Sequence, residues 1–295
     1  MTAPTGPRCG VVGLGNMGSG IAATLRDAGL LGAVCDSHAT TLGAFGDMAH
    51  GIEAVAGCDV ILLVVPGTAQ IAGLFDAGLL QGPPGRVLID MTTSDPVATQ
   101  AMAARAADGG VAYLDAGMSG GAAGAQAGRL TLMIGGPADA LNRANTALTC
   151  IASQIFHVGP IGAGHTMKLV HNMICHTIFL ATAEGCRAAE RAGISLDRAV
   201  AVLNAGNACS FVSERRFPDH IISETFDGRS VTANLAKDLA MAHTLFDNLG
   251  QPSAYVGLTA ALLAQGEGLD LMAQDFTRLY PAYDTLVDGL NTNTP

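Results

Sequence analysis

The chain has 295 residues, 49% of them hydrophobic and 14% charged, with no tryptophan. Single hydrophobic cores stop growing near ~250–300 residues, so this length predicts two domains. A net charge of −10, from 15 basic and 25 acidic side chains, argues against a nucleic-acid partner, which would need a basic face, but leaves room for a local anion site.

The apolar runs, such as Val60 to Pro66, are too short to cross a bilayer. The first residues carry no stretch of signal-peptide length. Seven cysteines (9, 35, 58, 150, 175, 186 and 209) are widely spaced, without a C-x-x-C pair. Most lie inside apolar segments, a usage expected of reduced core thiols in a cytoplasm rather than of a disulfide framework.

In chain order, Arg8–Gly13, Gly32–Asp36, Asp59–Pro66, Arg86–Asp90, Val111–Asp115 and Arg129–Ile134 read as strands rich in Val, Ile and Leu. Alanine-rich helical segments such as Gly18–Ala28 and Pro96–Ala107 separate them. Continuous apolar strands alternating with helices predict a parallel sheet covered on both faces, the doubly wound α/β design. After about Gly162 the strand signal stops. Gly164–Ala192 predicts a long helix, apolar on nearly every side and therefore expected to be buried between two domains. Ser195 is expected to cap a further helix, and Val231–Asn248, Ser253–Gln265 and Leu269–Tyr280 continue the helical pattern. The expected organisation is a Rossmann-like α/β domain over residues 1–162 and an all-α domain over 163–295.

The strongest local motif is the run Gly13, Leu14, Gly15, Asn16, Met17 and Gly18, directly after one strand and directly before a helix. The first glycine allows the tight turn, the second a close approach of pyrophosphate, and the third helix–strand packing; the helix N-terminus faces the phosphates. Asp36, closing the second strand, is placed to accept hydrogen bonds from ribose hydroxyls and to repel a 2′-phosphate. With no basic residue directly following it, NAD is expected over NADP. Val65 and Pro66 fall at the carboxyl end of a strand, where open α/β sheets bind ligands, with Gln70 just beyond.

Further motifs follow in order: Asp90-Met-Thr-Thr93-Ser-Asp-Pro96; Asp115-Ala-Gly-Met-Ser119-Gly120-Gly121; Gly162-Ala-Gly164-His-Thr-Met-Lys168-Leu-Val-His-Asn172; and Lys237-Asp238-Leu239. Together with the glycine turn, they resemble the 3-hydroxyisobutyrate dehydrogenase-like (β-hydroxyacid dehydrogenase) family over essentially the whole chain. The resemblance implies a Rossmann-like domain and a helical domain like that of 6-phosphogluconate dehydrogenase, joined by a long helix. It implies an enzyme that interconverts a small β-hydroxy acid and its aldehyde or keto acid by hydride transfer. Lys168 takes the family's catalytic position as general acid and base, and Asn172, four residues on and so on the same helix face, holds substrate or lysine in line. An apolar setting would lower the pKa of such a lysine.

Ser119, Gly120 and Gly121 are implied to bind the substrate carboxylate, a hydroxyl and open backbone N–H groups forming an anion nest. Thr93 is implied to line the nicotinamide pocket. Lys237 is implied to reach the cofactor from the second domain, an exposed Lys–Asp helix pair being the competing reading. The chain departs from the family at Gly117-Met118, where Pro-Val is usual, which bears on the substrate, and at His171, where Asn is common; a buried, hydrogen-bonded histidine is expected there over one that contacts substrate. Pocket residues near Phe211 or Phe226 are expected to decide its identity.

No metal-ligand spacing occurs, and the chemistry needs no metal. Gly117-Met-Ser119-Gly-Gly121 also fits the letters of a hydrolase nucleophile elbow, but a hydrolase would leave the glycine turn, Lys168 and Asn172 unused. An imine reductase, related to this family but generally without the lysine, and a non-catalytic NAD-binding scaffold are also compatible with the cofactor turn. The apolar helical half predicts a homodimer or homotetramer.

Overall fold

The computed structural model describes residues 6–46 and 48–292. The chain divides into two compact units, 1–168 and 169–295, with the division inside one long helix.

The first unit is built on one eight-stranded sheet. Its strands are β1 (Cys9–Val12), β2 (Leu31–Cys35), β3 (Ala49–His50), β4 (Val60–Leu63), β5 (Val87–Asp90), β6 (Ala112–Ser119), β7 (Leu130–Gly135) and β8 (Ala152–Gly159), in the order β3-β2-β1-β4-β5-β6-β7-β8. The connecting helices are α1 (Gly18–Asp27), α2 (Ala39–Leu42), α3 (Ile52–Ala56), α4 (Thr68–Asp76), α5 (Pro96–Asp108), α6 (Gly121–Gln126) and α7 (Ala138–Ile151). Helix α8 (Ala163–Arg191) follows. Strands β1, β4 and β5 are buried at every position, as expected of strands sandwiched between helical layers. One apolar cluster, around Ile21, Leu25, Leu62, Ile89 and Leu148, and a second, around Ile61, Leu63, Ile71, Leu88 and Tyr113, form two cores of this unit.

The expectation of a wholly parallel sheet needs one correction: β7 runs antiparallel to β6. Only the short α6 and its turns connect the two, and a parallel return needs a crossover of about a dozen residues or more. The sequence reading also missed β3, two residues long, and the exposed edge strand β8.

The second unit contains the rest of α8, then α9 (Leu196–Ala205), a wide helical segment Val212–Ile222, α10 (Thr232–Asn248), α11 (Tyr255–Ala264) and α12 (Tyr283–Thr292). Ser195 is the N-cap of α9, although its side chain makes no capping bond to the helix backbone. Phe179, Phe217, Phe276 and Tyr280 stack edge-on or tilted at the centre of its core, with centroids 5.2–6.2 Å apart. Of the helix expected over Leu269–Tyr280, only a short 3₁₀ helix at Phe276–Leu279 forms beyond the end of another at Glu267–Leu269. Asp270 adopts a left-handed turn, and Val231 bridges Asp275, so that backbone groups of residues 272–276 pair with residues 230–233 instead of along an α-helix. Nor is α8 buried all round: Leu169, Phe179, Leu180, Ala183 and Cys186 are covered, while Ile174 is 50% exposed. A helix of 29 residues offers its apolar circumference to more surroundings than one core can cover. No helix among the described residues is long and apolar enough to cross a membrane.

Candidate active site

Because β2, β1, β4, β5 and β6 run parallel, their carboxyl ends share one edge of the sheet. That edge gathers most of the residues singled out from sequence: Gly13–Gly18 after β1, Asp36 after β2, Val65 and Pro66 after β4, Thr93 after β5, and Ser119 at the end of β6. The order of strands reverses between β1 and β4, the switch point at which such sheets bind ligands.

The glycine turn is constrained at its base and open at its tip. Gly13 has φ +90°, and a β-carbon there would strike the Val64 carbonyl. One at Gly18 would strike the carbonyl of Gly13, whereas one at Gly15 would meet nothing within 4 Å. Gly15 and Asn16 are exposed, so the backbone here lies open to a bulky anion at the start of α1. This cradle fits a dinucleotide pyrophosphate.

Asp36 pins the turn from the side. Its Oδ2 accepts from the Leu14 N–H at 2.5 Å, and Oδ1 accepts from the His38 N–H at 2.8 Å. Burial opposes its charge, but these two N–H groups and the His38 and Thr41 side chains outweigh it, leaving the carboxyl below its ordinary range.

The loop after β5 hangs from a buried carboxylate. Asp90 Oδ1 accepts from the Thr92 N–H at 2.9 Å and from its hydroxyl at 2.6 Å, and Oδ2 accepts from the Tyr113 hydroxyl at 2.8 Å. Burial, and then the Asp90 charge, drive Tyr113 well above its ordinary pKa, so it remains a neutral donor. The loop carrying Thr93 is thereby anchored from below, and Ser94 joins it to Thr68 of α4 through hydroxyl contacts.

A second buried carboxylate fixes the helix that carries Lys168. Asp115 of β6 accepts from the Gly162 N–H and the His165 N–H, both at 2.8 Å, and so caps the N-terminus of α8 with a negative charge. His165, fully buried, contacts the Thr99 hydroxyl through Nδ1 at 2.7 Å and turns Nε2 toward Asp90 at 3.9 Å. The cap roles of Asp115 and His165 were not read from sequence, because a contact |i−j| = 47–50 apart leaves no local periodic signal.

One turn into α8, Lys168 donates from Nζ to the Met118 carbonyl at 2.5 Å. Gly117 lies under the lysine stem, where a β-carbon would come 2.5 Å from the Lys168 Cβ. On alternating strand geometry Gly117 and Ser119 face the same side of β6, so the lysine and the serine share one side of the strand. Gly120 and Gly121 have φ +119° and +62°, and Gly120 precedes the first residue of α6, a backbone suited to presenting N–H groups to an anion.

Within the helical unit, Asn172 is buried and donates from Nδ2 to Asp238 Oδ2 at 2.7 Å, while its Oδ1 lies 3.2 Å from His171 Nδ1. Asp238 accepts only, so it fixes which end of the amide is the nitrogen. Lys237 is exposed, with Nζ 3.5 Å from Asp238 Oδ1. Lys168 and Lys237 are the only two lysines among the chain's 15 basic residues. Gln70 is exposed on α4.

Residues 8–159 match the NAD binding domain of 6-phosphogluconate dehydrogenase, and residues 162–283 match the NAD-binding domain of NADP-dependent 3-hydroxyisobutyrate dehydrogenase. The chain is 33% identical over 245 residues to an NAD-dependent L-serine dehydrogenase of Pseudomonas aeruginosa, covering 78% of this chain and 82% of that one. It is 34% identical over 241 residues to an L-threonate dehydrogenase of Cupriavidus necator, covering 79% and 81%. Among solved structures, the 3-hydroxyisobutyrate dehydrogenase of Mycobacterium tuberculosis with L-serine superposes with a TM-score of 0.86 at 26% identity, over 95% of this chain and 99% of that one. The chain belongs to the 3-hydroxyisobutyrate dehydrogenase-like family of NAD-dependent β-hydroxyacid dehydrogenases.

Proposed function

We propose that the protein interconverts a small 3-hydroxyisobutyrate-like β-hydroxy acid and its aldehyde or keto acid, with Lys168 as the general acid and base. The observation that carries this reading is the placement of an amine on a carboxylate-capped helix, beside the Ser119–Gly121 turn, at the ligand-binding edge of a dinucleotide fold. Ser119 and the N–H groups of Gly120 and Gly121 bind the substrate carboxylate. Lys168 takes the hydroxyl proton in oxidation and returns one in reduction. The Met118 carbonyl holds its Nζ in place between turnovers, and Asn172, its amide oriented by Asp238, steadies the substrate.

Gly13, Leu14, Gly15, Asn16, Met17 and Gly18 cradle the cofactor pyrophosphate, and Asp36 takes the adenosine ribose and selects NAD over NADP. Val65, Pro66 and Thr93 line the nicotinamide side, and Lys237 is a further cofactor-binding residue. When bound, NAD supplies the hydride acceptor. The exposed apolar side chains Ile174, Leu249, Tyr255 and Leu258 support a homodimer or homotetramer, and the free, mostly covered cysteines support a cytoplasmic setting.

The test is NADH formation at 340 nm across a panel of β-hydroxy acids, with NADP in parallel, for the natural protein and for Lys168→Met. Turnover with NAD that Lys168→Met abolishes while NAD binding persists supports the reading. Undiminished turnover in Lys168→Met overturns the role of the lysine.

A further inference from the structure

His165 lies in the first turn of α8, three residues before Lys168, and is fully buried. It faces both of the buried carboxylates that shape the site. Asp90 closes β5, and Asp115 stands opposite it in register on β6. The His165 N–H donates to Asp115 Oδ2 at 2.8 Å, while its Nε2 points at Asp90 Oδ1 from 3.9 Å. Among the described residues neither carboxylate is paired with a lysine or an arginine. Two buried acids side by side, without a cation, depend on every donor that faces them.

The surrounding hydrogen bonds decide what the imidazole offers. Nδ1 lies 2.7 Å from the Thr99 hydroxyl, and that hydroxyl also lies 2.9 Å from the Asp95 carbonyl. A hydroxyl has one proton to give. Given to Asp95, it leaves Nδ1 as the donor, and a neutral ring then turns the lone pair of Nε2 onto the Asp90 carboxylate. Given to Nδ1, it places the ring proton on Nε2, facing Asp90. The Asp95 carbonyl stays paired in this second arrangement, because the Thr99 N–H donates to it at 2.9 Å. Nε2 is otherwise buried without a hydrogen-bond partner, so the second arrangement is the one its surroundings favour.

Asp90 is also the residue from which the loop after β5 hangs. Its Oδ1, the oxygen facing His165, accepts from the N–H and hydroxyl of Thr92, one residue before Thr93. A proton on Nε2 therefore ties the base of that loop to the helix start that leads into Lys168. Every residue of this arrangement belongs to the first compact unit.

We propose that His165 is a positioning residue for hydride transfer: its Nε2–H holds the Asp90 carboxylate, and through it the Thr93 loop, against the start of α8, which carries Lys168. This rests on the placement of Thr93 beside the nicotinamide proposed above. The adenosine half of the cofactor is held elsewhere, at Gly13–Gly18 and Asp36, so loss of the tie is felt by the nicotinamide half alone.

The experiment measures by calorimetry how much more tightly the protein binds NADH than ADP-ribose, which lacks the nicotinamide. An Asn at 165 places its amide near the position of Nδ1 and a Gln near that of Nε2, so the two variants separate the ends of the ring. His165→Asn should weaken NADH roughly tenfold, the scale of one hydrogen bond to a charged group, and leave ADP-ribose unchanged. His165→Gln should recover most of that loss, and kcat should follow the same order. Equal losses for both ligands, or Asn serving as well as Gln, would mean a packing role only and overturn the proposal. Thr93→Phe, which crowds the ring site, tests the placement beneath it. No selective loss of NADH in that variant removes the loop from the nicotinamide, and the proposal falls with it. A selective loss there with none in His165→Asn refutes the role of His165 alone. Should His165→Asn not fold, the imidazole 15N shifts of the natural protein decide: the proton is expected on Nε2, and a proton on Nδ1 alone refutes the proposal.

Discussion

Gly117 and Lys168 pack so closely that the lysine stem occupies the space a side chain at 117 would need: a β-carbon there would lie 2.5 Å from the Lys168 Cβ and 3.1 Å from its Cγ and from the Gly164 carbonyl. From that bed Nζ reaches the Met118 carbonyl of the same strand. Position 117 is thus part of what aims the amine.

Gly117→Ala is therefore expected to lift the lysine stem off β6. A displacement on the order of 1 Å costs about 100-fold in rate when a reacting group is misplaced, so kcat should fall by roughly 10- to 100-fold while the KM for NAD stays unchanged. Competitive acetylation offers a readout independent of turnover, since the exposed Lys237 is the internal standard for Lys168. The labelling ratio should change in Gly117→Ala; an unchanged ratio with unchanged kcat would sink the argument.

The lowered carboxyl of Asp36 gives a signed pH dependence. A carboxylate whose native pKa is depressed contributes stability that is fully present above the unfolded value, near ~3.9, and fades as pH falls through the native value. The loss from Asp36→Asn should be largest near neutral pH, about 1.5–3 kcal/mol for hydrogen bonds to a charged acceptor, and should vanish at strongly acidic pH. Urea unfolding of both proteins at pH 7, 5 and 3 checks this, and a gap that widens toward acid contradicts it. The same variant should lose part of the preference for NAD over NADP.

Asn172 and Asp238 are expected to act as a unit. Removing either leaves the other buried without its 2.7 Å partner. Asn172→Ala and Asp238→Ala should each destabilise by about 1–3 kcal/mol, and the double variant by clearly less than their sum. A double-mutant cycle by urea unfolding measures the coupling. Strict additivity would mean the pair contributes nothing jointly.

The strands and the glycine turn were legible because their signals are local: continuous apolar runs, a Gly at each constrained position, an acid closing β2. The lysine and its neighbours were singled out through ordered motifs that resemble a family, with helical spacing putting Asn172 on the face of Lys168. What sequence did not disclose depends on distant pairing. Asp115 capping α8, Tyr113 buttressing Asp90, and Arg216 stacked over Phe211 and Phe276 each join residues separated in sequence or by fold. The direction of β7 was missed because apolar periodicity carries no information on strand polarity, and the Leu269–Tyr280 helix is broken short of its expected length because periodicity cannot see that Asp275 pairs with Val231.

Arg86 gives a test of the scaffold apart from the chemistry. Its side chain is 2% exposed, and its guanidinium donates to four carbonyls: Pro83 at 2.8 Å, Ala56 and Leu79 at 3.0 Å, and Leu80 at 2.6 Å. These lie at the end of α3, after α4 and in the turn before β5, so one planar fork closes three chain segments that would otherwise bury unpaired acceptors. Arg86→Met keeps the apolar stem but leaves all four carbonyls without this donor, and it should destabilise by about 3–5 kcal/mol, the range for breaking a buried charged network. Arg86→Lys should recover only part, because one ammonium with three donors cannot reach four acceptors fanned around a plane. Arg86 lies at the opening of β5, whereas the candidate site occupies the closing ends of the strands. Turnover per folded molecule at low temperature should therefore match the natural protein while the urea midpoint falls. A variant that unfolds at the natural midpoint would mean that water replaces the guanidinium at these carbonyls. Loss of turnover at an unchanged midpoint would mean that the two ends of the sheet are coupled.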